Sequence, residues 1–306
     1  MPANSTDFLI ARLIGLQVDY LHAAQCIESA SDGEALHDLR ITLRGVRSLL
    51  RPLRQRPELA VLDQAAAALL TSTSGLRDAQ VLAQELDRLG WQAEASRRRA
   101  HVDQCVRLCL RKPIAKRVLG ELERWPAAFR KIRSGSDLKH IRKLVRRRAK
   151  RDLEQLREVL EQSHDSPRDW HAIRLRIKRV RYLCESYANW IRPDDALLDD
   201  LKHAQSNLGN EHDLRLRCAS SDKDRPLRPL INGWLSARSE AQHEVQTVLA
   251  ALLERLTTSR KEKKHVPPLK PVKVDVCSSA AGRQPGAMRL PPFDRDQIHP
   301  NLPAYK

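Results

Sequence analysis

The sequence predicts an all-α protein assembled from two related halves. Three observations carry that expectation. No stretch sustains period-two alternation; apolar residues recur instead at gaps of three and four. Prolines fall where helices should start or stop: residues 1–258 hold nine, whereas residues 259–306 hold eight in 48 positions. And one distinctive helix occurs twice. LHDLRITLRGVRSLLRPL at 36–53 overlays WHAIRLRIKRVRYLCESY at 170–187 without a gap, at an offset of 134. His37 falls on His171, Arg40 on Arg174, Arg44 on Lys178, Val46 on Val180 and Arg47 on Arg181.

In chain order, helices are expected over 7–30, 34–56, 59–88, 91–111, 113–133, 137–163, 167–191, 194–219 and 224–258. The breaks are SDGE, RQRPE, RKP, RSGSD, HDSPRD, RPDD and SDKDRP. Asp32, Asp137, Asp165 or Ser166, and Asp194 are the expected N-terminal caps, because a short side-chain oxygen can accept from an unpaired N–H of the first turn. The flanking segments repeat as well. The helices near 7–30 and 137–163 correspond, as do the spans near 92–124 and 226–258. Arg77-Asp78 in SGLRDAQVL matches His212-Asp213 in GNEHDLRLR at an offset of 135. A duplicated four-helix unit accounts for this. It gives a helical domain over 7–258 with halves at 7–133 and 137–258, each an antiparallel bundle with short connections. The tail at 259–306, with KEKK, PPLKP and LPP, has too little apolar surface to offset its ordering entropy and is expected to be disordered.

Composition narrows the function. Lys and Arg number 55 and Asp and Glu 38, a formal net charge of +17 that attracts polyanions. Aromatics make up only 4 %, too few for the stacking platforms of a single-strand nucleic-acid binder. Trp91, Trp125, Trp170, Trp190 and Trp234 read as core or bundle-end residues. No apolar run reaches the roughly 18 residues of a membrane span. The N-terminus MPANSTDFLIARLIGL has neither a basic leader nor a small-residue cleavage site, so signal-peptide secretion is not expected, and the cysteine pattern that follows reads as that of a reduced, cytoplasmic protein. The cysteines at 26, 105, 109, 184, 218 and 277 form no CxxC pair. Cys105 and Cys109 read as small apolar residues, and no metal or other cofactor is implied. GxxxxGK[ST], GxGxxG and GxSxG motifs do not occur.

The repeated helix carries two adjacent stripes. In the first copy the apolar stripe is Leu36, Leu39, Leu43, Val46, Leu50 and Leu53, and one position along runs a basic row of His37, Arg40, Arg44, Arg47, Arg51 and Arg54. The second copy has Trp170, Ile173, Ile177, Val180, Cys184 and Tyr187 beside His171, Arg174, Lys178 and Arg181, ending at Glu185. Stripes about 100° apart place the basic row beside the core seam, with one cation about every 5 Å. Like charges so spaced cost a few tenths of a kcal/mol per pair, and no acid interleaves in either row. A linear polyanion relieves that repulsion, and arginine can hold a phosphate through two hydrogen bonds. A solvated arginine-rich face is the plain alternative; the recurrence of a histidine-led row speaks against it. A third basic helix, LKHIRKLVRRRAKR at 138–151, has nine Lys, Arg or His in fourteen positions. Arg142 and Arg146 are its candidates for a shared site, while Arg147, Arg148 and Lys150 read as surface charge.

LHDLRITLRGVRSLLRPL, SGLRDAQVL, WHAIRLRIKRVRYLCESY and LKHAQSNLGNEHDLRL resemble the CHAD family, the conserved-histidine α-helical domain, over about residues 7–258. The combination is specific: an HxxR-type basic helix twice, each followed at similar distance by an (R/H)D turn. The resemblance implies two four-helix bundles about a pseudo-twofold axis with a basic central channel, and a function in binding inorganic polyphosphate, including association with polyphosphate granules. It places the basic surface on His37, Arg40, Arg44, Arg47, His171, Arg174, Lys178 and Arg181, with Arg77 and His212 from the later turns. Two departures stand out. Gly45 occupies the first basic helix where the second has Arg179, and TSTSGLRD replaces NLGNEHD with its glycine displaced by one. The acidic strand motifs of the triphosphate-hydrolysing CYTH domain carried by some relatives are absent.

The expectation is thus a non-enzymatic polyphosphate-binding module. His37 and His171 stand either as phosphate contacts or as hydrogen-bonded structural histidines, and Asp78 and Asp213 as groups that orient a neighbouring arginine. A polyphosphate-cleaving or phosphate-transferring enzyme using the two histidines is the rival from another class; it lacks the clustered carboxylates that would hold magnesium. A non-specific nucleic-acid binder is the second rival, disfavoured by the low aromatic content and the want of a helix-turn-helix signal.

Overall fold

The computed structural model describes residues 5–54, 57–132, 137–162 and 170–265. All regular structure among them is helical: α1 (Ser5–Ser29), α2 (Ala35–Leu50), α3 (Pro57–Ser72), α4 (Ser74–Arg88), α5 (Gln92–Arg111), α6 (Pro113–Ile132), α7 (Asp137–Gln162), α8 (Trp170–Ser186), the short α9 (Ala188–Ile191), α10 (Asp195–Lys223) and α11 (Ile231–His265), with 3-10 turns at Arg51–Leu53 and Arg225–Leu230.

The apolar stripes close two four-helix rings. Helices α1, α2, α3 and α6 pack in succession around Leu13, Leu39, Leu43, Leu62, Leu69 and Val118. Helices α7, α8, α10 and α11 pack around Leu156, Ile173, Ile177, Leu201, Leu208 and Leu252. Every member of the expected apolar stripe on α2 is buried, as are the first five of the six on the second copy and Tyr187 beyond α8. The hairpin of α4 and α5 packs on the C-terminal half of α10 and the start of α11 through Leu82, Leu86, Ala95, Leu214, Leu227 and Trp234. The rings interlock: Leu183, Tyr187 and Trp190 belong to the core of the first ring. The fully buried Tyr187 hydroxyl donates to the Leu49 carbonyl, fastening the end of α8 to α2.

Several boundaries differ from expectation, each for a local reason. The single helix expected over 59–88 is two, bent by 41° at Thr73. The run Thr71-Ser72-Thr73-Ser74 turns its hydroxyls back onto carbonyls of the preceding turn, Thr71 to Ala67 at 3.0 Å and Thr73 to Leu69 at 2.9 Å, which competes with the helix ladder. At the end of α2, Pro52 cannot donate to the Ser48 carbonyl, and the chain tightens into a 3-10 turn. The helix expected over 167–191 is interrupted at Tyr187, giving α8 and α9. The helix expected to end at 258 continues to His265, so the first seven residues of the segment read as tail are helical, with proline first at Pro267. Asp194 caps α10 by accepting from the Ala196 N–H at 3.3 Å. Asp32 accepts from the Glu34 N–H at 2.8 Å, leaving Glu34 as the cap residue of α2. Asp137 is the first residue of α7 rather than a cap outside it. Asp165, Ser166 and the tail from 266 lie outside the described residues. A Cβ at Gly45 would stand 2.9 Å from Leu16 Cδ2 of α1, so a larger residue there would require the end of that side chain to shift. No single helix among the described residues is long and apolar enough to cross a membrane.

Candidate functional site

Because α8 packs directly on α2, and α10 on both α8 and α4, the N-terminal ends of the two basic rows meet. Arg44 of α2 acts on both Arg174 and Lys178 of α8. Asp78 of α4 feels Arg40, Arg174, Arg77 and Lys178, and Asp213 of α10 feels Arg174, Arg217, Lys178 and Asp78 itself. One cluster therefore gathers side chains from α2, α4, α8 and α10, with two carboxylates among a larger number of cations. Arg44, Arg174 and Lys178 have no ion-pair or hydrogen-bond partner among the described residues, and the buried Nε of Arg174 is unsatisfied.

The protonation states follow from burial among cations. Lys178 is pushed down to about 7, first by burial and then by Arg174 and Arg44. Arg174 is lowered by burial, with Asp213 opposing. His37 is pushed down to about 4 by burial and by Arg77, and His212 to about 4 by burial and by Arg174. Both are therefore neutral at pH 7, and His37 heads its row as a hydrogen-bonding group rather than a cation. His212 Nδ1 accepts from Arg215 Nη2 at 3.0 Å, and its ring lies 5.9 Å from that of the exposed His171. Asp78 and Asp213 are both raised by burial, with Arg40 and Arg174 respectively as the leading opposing charges.

Arg40 has a different role from the one expected. It is only 8 % exposed, and its Nη1 donates to the Leu70 carbonyl and to Thr73 Oγ1, each at 2.7 Å. It caps the broken end of α3, where the Leu70 carbonyl also accepts from Thr73 Oγ1 at 3.3 Å. Burial pushes it down to about 10.

Nor are the C-terminal halves of the rows open cations. Arg47 and Arg54 both pair with Asp63, at 3.1 and 2.9 Å. Arg51 pairs with Asp152 at 3.4 Å, and Arg181 with Glu185 at 3.1 Å. Arg148, expected to be surface charge, holds the other oxygen of Asp152 at 3.0 Å. Asp152 is 5 % exposed, and a buried carboxylate of that kind needs such partners. The rows have no interleaved acid in sequence, but the fold brings carboxylates from α3 and α7 to neutralise one end of them. Arg77 pairs with Glu34 at 3.2 Å and bonds Gln80 at 2.6 Å, at the edge of the cluster. Arg146 donates from Nε to the Trp190 carbonyl at 2.7 Å, and Arg142 is exposed on α7.

The (R/H)D segments are not turns: Arg77-Asp78 lies near the start of α4, and His212-Asp213 near the middle of α10. Arg215 and Arg217 were missed. The signal for Arg215 was its place three residues after His212, a third HxxR spacing. Arg217 also reaches Glu85 at 3.6 Å.

The site's unpaired guanidiniums and amine suit an anion with several closely spaced charges. No group of three or more His, Cys, Asp or Glu among the described residues could hold a metal ion. No curated protein sequence matches the chain. Among solved structures, the CHAD domain from the plant Ricinus communis is similar in fold, with a TM-score of 0.54 at 20 % identity, covering 87 % of this chain and 93 % of that one. PptA from Streptomyces chartreusis aligns at 18 % identity over 83 % of this chain and 99 % of its own, with a TM-score of 0.41. The family model of the CHAD domain matches residues 14–220, a span that takes in both basic helices and the helical Arg77-Asp78 and His212-Asp213 segments, and on that match the chain belongs to the CHAD family.

Proposed function

We propose that this protein binds inorganic polyphosphate, without chemical turnover, at the cluster where α2 and α8 meet, and that it associates with polyphosphate granules through that site. One observation carries the reading: Arg44, Arg174 and Lys178 converge from two helices with no counter-charge in ion-pair reach among the described residues. A folded protein tolerates such repulsion at a cost in stability, and a linear chain of phosphates removes that cost while gaining bidentate guanidinium contacts. His37 and His212 add neutral hydrogen-bonding groups at the same end, where the exposed His171 ring also lies. The paired cations Arg47, Arg51, Arg54 and Arg181 extend the positive field without offering free donors of the same kind.

The test is binding of long-chain polyphosphate across a series of salt concentrations, with duplex DNA as competitor and phosphate release followed in magnesium and in manganese. The expected outcome is a steep linear fall of log affinity with log salt, preference for polyphosphate, and no phosphate release. Equal competition by duplex DNA would return the chain to the non-specific nucleic-acid class, and sustained phosphate release would make it an enzyme.

A further inference from the structure

We propose that the central cluster takes up protons when the phosphate chain docks, with Lys178 as the principal acceptor; this deepens the polyphosphate reading of the same site and rests on it. The geometry is a half-buried amine whose charged neighbours are mostly cations. On its own helix Lys178 faces Arg174 and Arg181, α2 contributes Arg44, and α10 contributes Asp213. Lys178 acts in turn on Asp78 of α4 and on His212 of α10. Helix α7 also packs on α8, but it turns Arg148 and Asp152 toward Arg51 and Arg179 instead, and α9 has no titratable side chain. No carboxylate among the described residues pairs with the Lys178 ammonium.

In the free protein these surroundings hold Lys178 at about 7, so above neutrality most copies carry an uncharged amine. A polyanion laid across Arg44 and Arg174 reverses the balance, because negative charge beside the amine favours its protonated form. Docking therefore draws one proton from solvent onto Nζ, converting the amine to an ammonium that donates to a phosphate oxygen. Affinity must then fall as pH rises between the free-state value and the higher bound-state value, and must be flat in Lys178 where both states are already protonated. His37 and His212, held at about 4 in the free protein, respond in the same sense at a lower pH.

The experiment is calorimetric titration of the full chain with long-chain inorganic polyphosphate, whose interior phosphates stay ionised throughout. It is run near pH 8 in buffers of different ionisation enthalpy and repeated as a pH series. The wild type is expected to take up most of one proton per site, with affinity weakening by up to about tenfold per pH unit above neutrality. Lys178→Arg stays cationic and is expected to bind with neither uptake nor slope in that range. Lys178→Met is expected to bind weakly, also without uptake. The buffer dependence of the wild type decides the matter even if a variant fails to fold. Binding by the wild type without proton uptake, or equal uptake by Lys178→Arg, overturns the inference and leaves the polyphosphate reading standing. Absence of binding by the wild type overturns that reading and the inference with it.

Discussion

Arg174 and Lys178 are the sharpest place to test whether a defined cluster, rather than net charge, holds the ligand. Arg174→Ala with Lys178→Ala removes two cations that have no ion-pair partner among the described residues. Each charge-assisted hydrogen bond is worth about 1.5–3 kcal/mol. Two reductions apply: Lys178 is only partly charged at neutral pH, and a long chain can shift toward Arg44. The pair should therefore cost about 2–4 kcal/mol, or roughly 30- to 1,000-fold in affinity. The slope of log affinity against log salt should flatten by about 1.4, at roughly 0.7 for each phosphate no longer neutralised. The fold should be spared, since mutual repulsion disappears. The matched control is Lys143→Ala with Arg147→Ala, two exposed cations on α7 that make no ion pair among the described residues. Arg148 cannot serve, because it holds the buried Asp152. The assay is titration of labelled long-chain polyphosphate at several salt concentrations, with melting curves for each variant. The cluster would be falsified as the site if the control pair weakened binding as much as the Arg174 and Lys178 pair.

Other outcomes follow from the same geometry. Arg40→Met should lower the melting temperature more than it weakens binding, because two buried charge-assisted bonds, to Leu70 and Thr73, are lost, at about 1.5–3 kcal/mol; thermal denaturation beside a binding titration checks this. Tyr187→Phe removes the buried bond to the Leu49 carbonyl and should cost about 1–2 kcal/mol of stability in denaturant unfolding, with affinity unchanged. His37 and His212 have folded-state values near 4 against 6.5 ordinarily, so between those limits the unfolded chain binds more protons and stability should fall as pH drops; a melting series in acid reads it, and His37→Gln with His212→Gln should flatten it. By the same sign, Lys178 makes the free protein more stable as pH rises from about 7 toward 10.5, a trend that Lys178→Met should abolish.

Much of this protein was determined by local pattern. Gaps of three and four specified the helices and their buried stripes, and the row beginning at His37 and His171 marked the faces that meet, because helical periodicity depends only on sequence spacing. Tertiary structure decided which of those cations are available. Arg40, Arg44 and Arg47 are equivalent members of one row in sequence. In the fold, Arg40 caps α3 at Leu70, Arg47 is neutralised by Asp63, and Arg44 alone of the three is left to act on Arg174 and Lys178. Asp63 is 16 residues from Arg47, and Asp152 is 101 residues from Arg51, so no spacing rule along a single helix connects them. The break at Thr73 likewise needed the guanidinium of Arg40 from another helix to satisfy it. Periodicity sets the direction in which a side chain leaves its helix; whether it meets a carboxylate, a carbonyl or another cation depends on which helix the hydrophobic stripes bring alongside, and that is settled only when the two rings pack.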